Sequence, residues 1–327
     1  MLKNLYKSST HFVKTLRGVL LLCLSFSGHA QTINLPGRIE IHVVPSTTVS
    51  GEEFLLGQKG RGVNLSGELR LPQGNAPKFP AVILVHGSGG ISGSMDAWVH
   101  HFNQAGIATF VLDTFTGRGI TSTVVDQTQL HSLAMMVDAY RALDLLAMHP
   151  RIEAKKISVM GFSKGAVASI FSASTRFTKS YGSDATFASH IGLYTPCNSR
   201  FLGDADLTGK PMRMFHGTTD DYVSVQPCRD YVKTLQQAGV NVTLTEFPDT
   251  DHGYDSPLSP KRLKVTAAQS TRNCMFIEKA PSVMTNEKTG EPFSYKDACI
   301  ATGAHVGHNP ESAAATVKAI LDFLKML

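Results

Sequence analysis

Residues 156–173 read Lys-Ile-Ser-Val-Met-Gly-Phe-Ser-Lys-Gly-Ala-Val-Ala-Ser-Ile-Phe-Ser-Ala. An apolar, strand-like run enters a Gly-x-Ser-x-Gly made of Gly161, Ser163 and Gly165, and a run of small residues suited to a helix leaves it. Strand, sharp turn and helix in that order form the setting in which a serine hydroxyl is lifted above a sheet as a nucleophile. The two glycines are expected to let the backbone take strained angles there. In a chain of 327 residues with 28 glycines the pattern alone is within reach of chance, so a serine in a glycine-rich turn is the plain alternative. The partners of Ser163 decide between the two.

Outward from this stretch, strands and helices alternate. Upstream, residues 38–44 and 63–71 carry apolar side chains at every second position and predict antiparallel strands at a sheet edge. Residues 80–85 are a continuous apolar run, as expected of a strand buried on both faces. A helix over 94–105 is stopped by Gly106, a strand covers 107–112, and a helix with an apolar face spans about 130–144, before Pro150. Downstream, strands are expected at 190–194, 211–215 and 240–247, with a helix at 227–238 stopped by Gly239. Asn309 then Pro310 opens a last helix to Leu327. The class is α/β, with a mostly parallel central sheet covered by helices on both faces. Residues 255–308 show no clear period, and so long an irregular stretch suggests an insertion or lid.

A serine hydroxyl needs a base, and the base a carboxylate to orient it. On such a sheet the order is serine, acid, histidine, each past the carboxyl end of a strand. The strand at 211–215 runs into His216-Gly217-Thr218-Thr219-Asp220-Asp221, and the strand at 240–247 into Pro248-Asp249-Thr250-Asp251-His252-Gly253. Ser163, Asp220 and His252 are therefore the candidate catalytic set. Asp221 is the rival acid, otherwise expected to cap a helix or face solvent. His305 and His308 are rival bases that follow no recognisable strand. Asp249 and Asp251 read as solvated loop carboxylates. Two N–H groups are required for an oxyanion: that of Lys164, after the nucleophile, and that of Ser88 in His86-Gly87-Ser88-Gly89-Gly90, with Gly89 as the alternative. His86 reads as a packed loop histidine. Arg118 either clamps a substrate carboxylate or, the plainer reading, pins its own loop.

No metal or cofactor is expected. His100 and His101 are adjacent on a helix and point to different faces. No His-x-x-Glu-His or Cys-x-x-Cys occurs, and the glycines form no phosphate-binding fingerprint. Nothing suggests a nucleic-acid partner, since no basic run is interleaved with aromatics.

Residues 1–30 read as a cleaved export signal. Lys3, Lys7, Lys14 and Arg17 precede the apolar run 19–26, and small residues lead to cleavage after Ala30. The apolar run is too short to span a bilayer, and Leu22 before Cys23 fits a lipid-anchor site poorly. Removing four basic and no acidic residues takes the formal net charge from +5 to +1. Residues 31–327 are expected to form one domain. Cys197, Cys228, Cys274 and Cys299 remain, an even count that in an oxidising compartment suggests two disulfides. Of three pairings, Cys274–Cys299 and Cys197–Cys228 are favoured.

His86-Gly-Ser-Gly-Gly90, Asp113-Thr-Phe-Thr-Gly-Arg-Gly119, Gly161-Phe-Ser-Lys-Gly165, His216-Gly-Thr-Thr-Asp220 and Asp251-His-Gly253 together resemble the dienelactone hydrolase family of the α/β-hydrolase fold, over roughly residues 60–255 and the final helix. The resemblance implies an eight-stranded, mostly parallel sheet, with Ser163 as nucleophile, Asp220 as orienter and His252 as base. The family's namesake enzymes carry cysteine at the position of Ser163, so ordinary ester hydrolysis is expected ahead of enol-lactone specificity. The expected protein is an exported, secreted or periplasmic serine hydrolase acting on small-molecule esters or lactones. A secreted peptidase of prolyl-peptidase type, or a non-catalytic binding protein on the same fold, is the alternative.

Overall fold

The structure, a computed structural model, describes residues 37–327. The expected export signal at 1–30 lies outside the described residues. The chain order is β1 (Arg38–Thr48), α1 (Gly51–Leu55), β2 (Arg61–Leu71), β3 (Phe79–Val85), α2 (Gly93–Gln104), β4 (Ala108–Asp113), α3 (Ser132–Ala147), β5 (Ile152–Phe162), α4 (Lys164–Phe171), α5 (Thr175–Tyr181), β6 (His190–Leu193), β7 (Ser199–Arg200), β8 (Met212–Gly217), α6 (Gln226–Gln237), β9 (Val242–Phe247), β10 (Leu263–Ser270), β11 (Phe276–Ala280), β12 (Val283–Asn286), β13 (Ala301–Val306) and α7 (Pro310–Lys325).

Eight strands form the central sheet in the order β1-β2-β4-β3-β5-β6-β8-β9. The β1–β2 and β2–β4 pairs are antiparallel and the others parallel. The apolar run of β3 explains its central place. Ala81, Ile83 and Val85 pack into one core with α3, α4 and α6, while Val82 and Leu84 pack into a second core with α2 and α7. Both faces are buried, so no polar position breaks the run. Each of Val82, Ile83, Leu84 and Val85 stabilises the fold by about 1.5–3 kcal/mol relative to exposure.

Register brings the site loops to one edge. Val85 lies opposite Gly161, Phe162 opposite Leu193, Leu193 opposite Phe215, and Gly217 opposite Phe247. The chain leaving β3, β5, β8 and β9 therefore converges at the carboxyl ends of the parallel strands.

The alternating Ile39, Ile41 and Val43 lie on an antiparallel edge strand, as expected, and face outward at 53%, 71% and 62% exposure. Val44 and Ser46 are buried and fix the opposite parity as the inner face. Residues 255–308 are not irregular. β10 pairs with β13, and the β11–β12 hairpin pairs through β11 with β7. These strands are short and mostly half-exposed, with a register shift in each antiparallel pair, so no single apolar face runs along them. Both favoured disulfides are present. Cys197–Cys228 ties the chain after β6 to α6, and Cys274–Cys299 staples the late segment. Arg176 of α5 grips the buried Glu278 of β11 with contacts of 2.7 and 2.9 Å, a bidentate, charge-assisted pair. Among the described residues no helix is long and apolar enough to cross a membrane.

Candidate active site

Ser163 is the residue between β5 and α4, with φ 52° and ψ −116°. The strained angle thus falls on the serine itself, not on its glycine neighbours, which have no positive φ. The glycines serve space instead. A Cβ on Gly161 would lie 2.1 Å from the Gly165 carbonyl oxygen, and one on Gly165 would lie 2.2 and 2.4 Å from those of Val85 and His86. Only hydrogen at these positions lets α4 start against the end of β3.

The Ser163 hydroxyl lies 3.0 Å from His252 Nε2, and His252 Nδ1 lies 2.7 Å from Asp220 Oδ2. All three residues are buried. Asp220 Oδ1 accepts the N–H groups of Tyr222 and Val223 at 2.9 and 2.8 Å, which fixes the carboxylate plane. Burial raises the Asp220 carboxyl, but the charges and hydrogen bonds of His252 and His216 outweigh it and hold the group well below the usual carboxylate range. With Asp220 ionised, the ring proton of His252 stays on Nδ1 and Nε2 is free to accept from the serine.

Groups that the sequence reading missed hold the histidine. The His252 ring stands between Tyr194, with centroids 4.4 Å apart, and Tyr222, at 4.8 Å. Tyr194 O–H donates to Asp255 Oδ1 at 2.8 Å, and Trp98 Nε1–H to Asp255 Oδ2 at 2.7 Å. Burial raises the Asp255 carboxyl, partly offset by these two donors. An aspartate three residues after His252 is the only trace of this support in the sequence. His216 Nε2 lies 3.3 Å from Asp220 Oδ2 and 3.0 Å from the Val223 carbonyl oxygen. The β13 end braces the loop as Gly307 N–H donates to the His252 carbonyl.

The rival residues lie elsewhere. Asp221 caps no helix; its side chain is partly exposed, and its carboxylate accepts from the N–H and Nδ1 of His305, both at 2.7 Å. His308 Nδ1 bonds to the Tyr254 carbonyl at 2.9 Å. Asp249 is exposed, and Asp251 pairs with Arg262 at 3.0 Å. Arg118 pins its own surroundings: it forms a buried pair with Asp138 at 2.7 and 2.9 Å and donates to the carbonyls of Thr47 and Thr114. His86 accepts the Thr114 N–H at Nε2 and donates through Nδ1 to Gly87, and burial lowers its pKa.

Ser88 lies in the loop after β3, beside the turn that carries Ser163. Its N–H has no hydrogen-bond partner among the described residues, while its side chain meets the Gln127 amide at 3.0 Å. The Lys164 side chain reaches residues 123–127. Its ammonium donates to the Gln127 carbonyl and Oε1, both at 3.1 Å, and to Thr123 Oγ1 at 3.3 Å. Burial lowers its pKa to about 7, only partly opposed by Asp126. Ser88, Ser163 and Lys164 open on a cavity of about 920 Å³. The late segment supplies one wall of it through Phe276, Phe293 and Tyr295. The arrangement can take a proton from a hydroxyl at one point and offers apolar room for an acyl or alcohol group beside it.

The family model for the dienelactone hydrolase family matches residues 66–279. Among solved structures, a dienelactone hydrolase-like promiscuous phosphotriesterase from metagenomic libraries shares 13% identity at a TM-score of 0.57, covering 89% of this chain and 99% of its own. A dienelactone hydrolase-like protein from Klebsiella pneumoniae subsp. pneumoniae MGH 78578 shares 13% identity at 0.56, covering 88% and 100%. Both likenesses are of fold. A comparison with curated proteins finds no match.

Proposed function

Because the chain belongs to the dienelactone hydrolase family, and so to the hydrolases, we propose that it cleaves carboxylic esters or lactones through an acyl-enzyme on Ser163. The observation that carries this reading is the unbroken chain from Ser163 Oγ through His252 to Asp220, with contacts of 3.0 and 2.7 Å, on a serine held at φ 52°. Ser163 Oγ attacks the carbonyl carbon as its proton passes to His252 Nε2. The oxyanion receives the N–H groups of Lys164 and Ser88. The C–O bond to the leaving alcohol breaks and His252 returns the proton to that oxygen. Water then repeats the sequence on the acyl-serine and frees the acid.

The protein acts after export, with residues 1–30 as its cleaved signal and 31–327 as a single domain. The two disulfides support an oxidising destination. The substrate is a small molecule, with its apolar part against Phe276, Phe293 and Tyr295.

A panel of p-nitrophenyl and naphthyl esters, run beside peptide amides, tests this. Esters should be turned over by the wild type and not by Ser163→Ala. Ester turnover equal in the two proteins, or preferred cleavage of amides, overturns the proposal.

A further inference from the structure

We infer that Glu40, His42 and His149 form a site for a divalent transition metal of the zinc type, remote from Ser163, which fastens β1 to the turn between α3 and β5. Glu40 and His42 lie two residues apart on β1 and share its inner face. His149 reaches them from the turn after α3. Glu40 Oε2 lies 3.0 Å from His42 Nε2 and 3.2 Å from His149 Nε2. The three atoms are all within 4.8 Å of one another. The second carboxylate oxygen, Oε1, is engaged by Arg38 Nε at 3.0 Å, so Oε2 is the shared vertex.

The spacing suits a tetrahedral ion. Ligand atoms bound at about 2.0–2.1 Å in a tetrahedron stand about 3.3 Å apart, and two of the three edges here are already close to that span. The third closes by rotating the two imidazoles, whose planes are 85° apart with centroids at 6.0 Å. Two imidazole nitrogens and one carboxylate oxygen, with a fourth position for water, select zinc and its neighbours. Calcium and magnesium ask for more oxygen. The same arrangement gives meaning to the outward apolar face of β1. β1 turns Ile39, Ile41 and Val43 to solvent and keeps Glu40 and His42 against the protein.

One contact is exchanged on binding. Arg151 N–H donates to His149 Nδ1 at 3.2 Å. A metal on Nε2 leaves the ring proton on Nδ1, so this long contact within the turn gives way to the metal bond. Binding needs Nε2 of each ring free of its proton and transfers no electron.

The site stands apart from the catalytic residues. His149 precedes β5 and Ser163 follows it, so they lie at opposite ends of that strand, which runs beside the seven residues of β3, roughly 20 Å of sheet. Sequence spacing hides the site, since Glu40 and His149 are 109 residues apart.

The test is zinc titration by calorimetry on untagged, chelator-stripped protein with its disulfides intact. One equivalent should bind and raise the melting temperature. Glu40→Gln, His42→Ala and His149→Ala should each weaken binding by at least the roughly tenfold that loss of an outer-shell partner alone costs, and remove the thermal shift. A His100→Ala/His101→Ala variant should bind as the wild type does. Hydrolytic activity, whatever its level, should be unchanged in all four, which separates this site from Ser163. His149→Gln, which keeps the volume, covers the case in which the alanine variant does not fold. Absence of zinc uptake, or uptake that survives loss of His149 or follows His100 and His101, overturns the inference.

Discussion

Lys164 follows the serine and is almost fully buried, at 7% exposure, without a carboxylate in contact. Burial lowers its pKa from 10.5 to about 7. An unfolded chain keeps this proton until about pH 10.5, whereas the folded chain gives it up near 7. Between those values the unfolded state binds more protons, so this group makes stability rise with pH, by about 1.4 kcal/mol per pH unit. Across the whole window the effect reaches about 5 kcal/mol. Lys164→Met removes the charge, keeps much of the volume, and gives up hydrogen bonds to Gln127 and Thr123 worth about 1 kcal/mol each at every pH. The variant should therefore be the more stable protein near pH 7, and its advantage should shrink as pH rises. Groups common to both proteins cancel in the difference. Urea unfolding without reductant at pH 7.5, 8.5 and 9.5 reads it directly, and the gap should close by about 3 kcal/mol over that range. Parallel stability curves for the two proteins refute the assignment of a buried, neutral-range amine.

Asp220→Asn should leave the fold intact and lower kcat about ten-thousand-fold by stabilising the wrong histidine tautomer, as read by ester turnover beside a circular dichroism melt. Gly165→Ala places a Cβ 2.2 Å from the Val85 carbonyl oxygen, so soluble yield and melting temperature should both collapse; a melt like that of the wild type contradicts the packing described. Arg118→Met leaves Asp138 buried without its cation and should cost about 3–5 kcal/mol in urea unfolding, whereas a substrate clamp would instead raise KM with stability unchanged.

The sequence was most readable where one chemical demand fixes both residue type and place. The elbow, the apolar run of β3, and the order of Ser163, Asp220 and His252 all follow from strand ends that must meet at one edge of a parallel sheet. Sequence does not separate Asp220 from Asp221, because adjacent residues share a loop and only the fold shows that His305, from β13, takes the second one. The flanking glycines do let the turn take a strained angle; only the fold shows that the angle falls on the serine while the glycines supply room. The orientation of β1 could not be read from Ile39, Ile41 and Val43, since Val44 and Ser46 set the inner parity. The strands of 255–308 were illegible because they pair with distant partners and expose parts of both faces. Tyr194 and Tyr222 about His252 were hidden for the same reason: nothing local marks a ring that acts by packing, tilted, against a distant imidazole.

The proposed hydrolysis depends on Ser163 as its nucleophile. Treatment with a fluorophosphonate, followed by intact-mass analysis and peptide mapping, reads this at the residue itself. One adduct per chain should form, on Ser163, and none on Ser163→Ala. A wild-type protein that takes no label, or a Ser163→Ala variant that labels equally well, rules Ser163 out as the nucleophile.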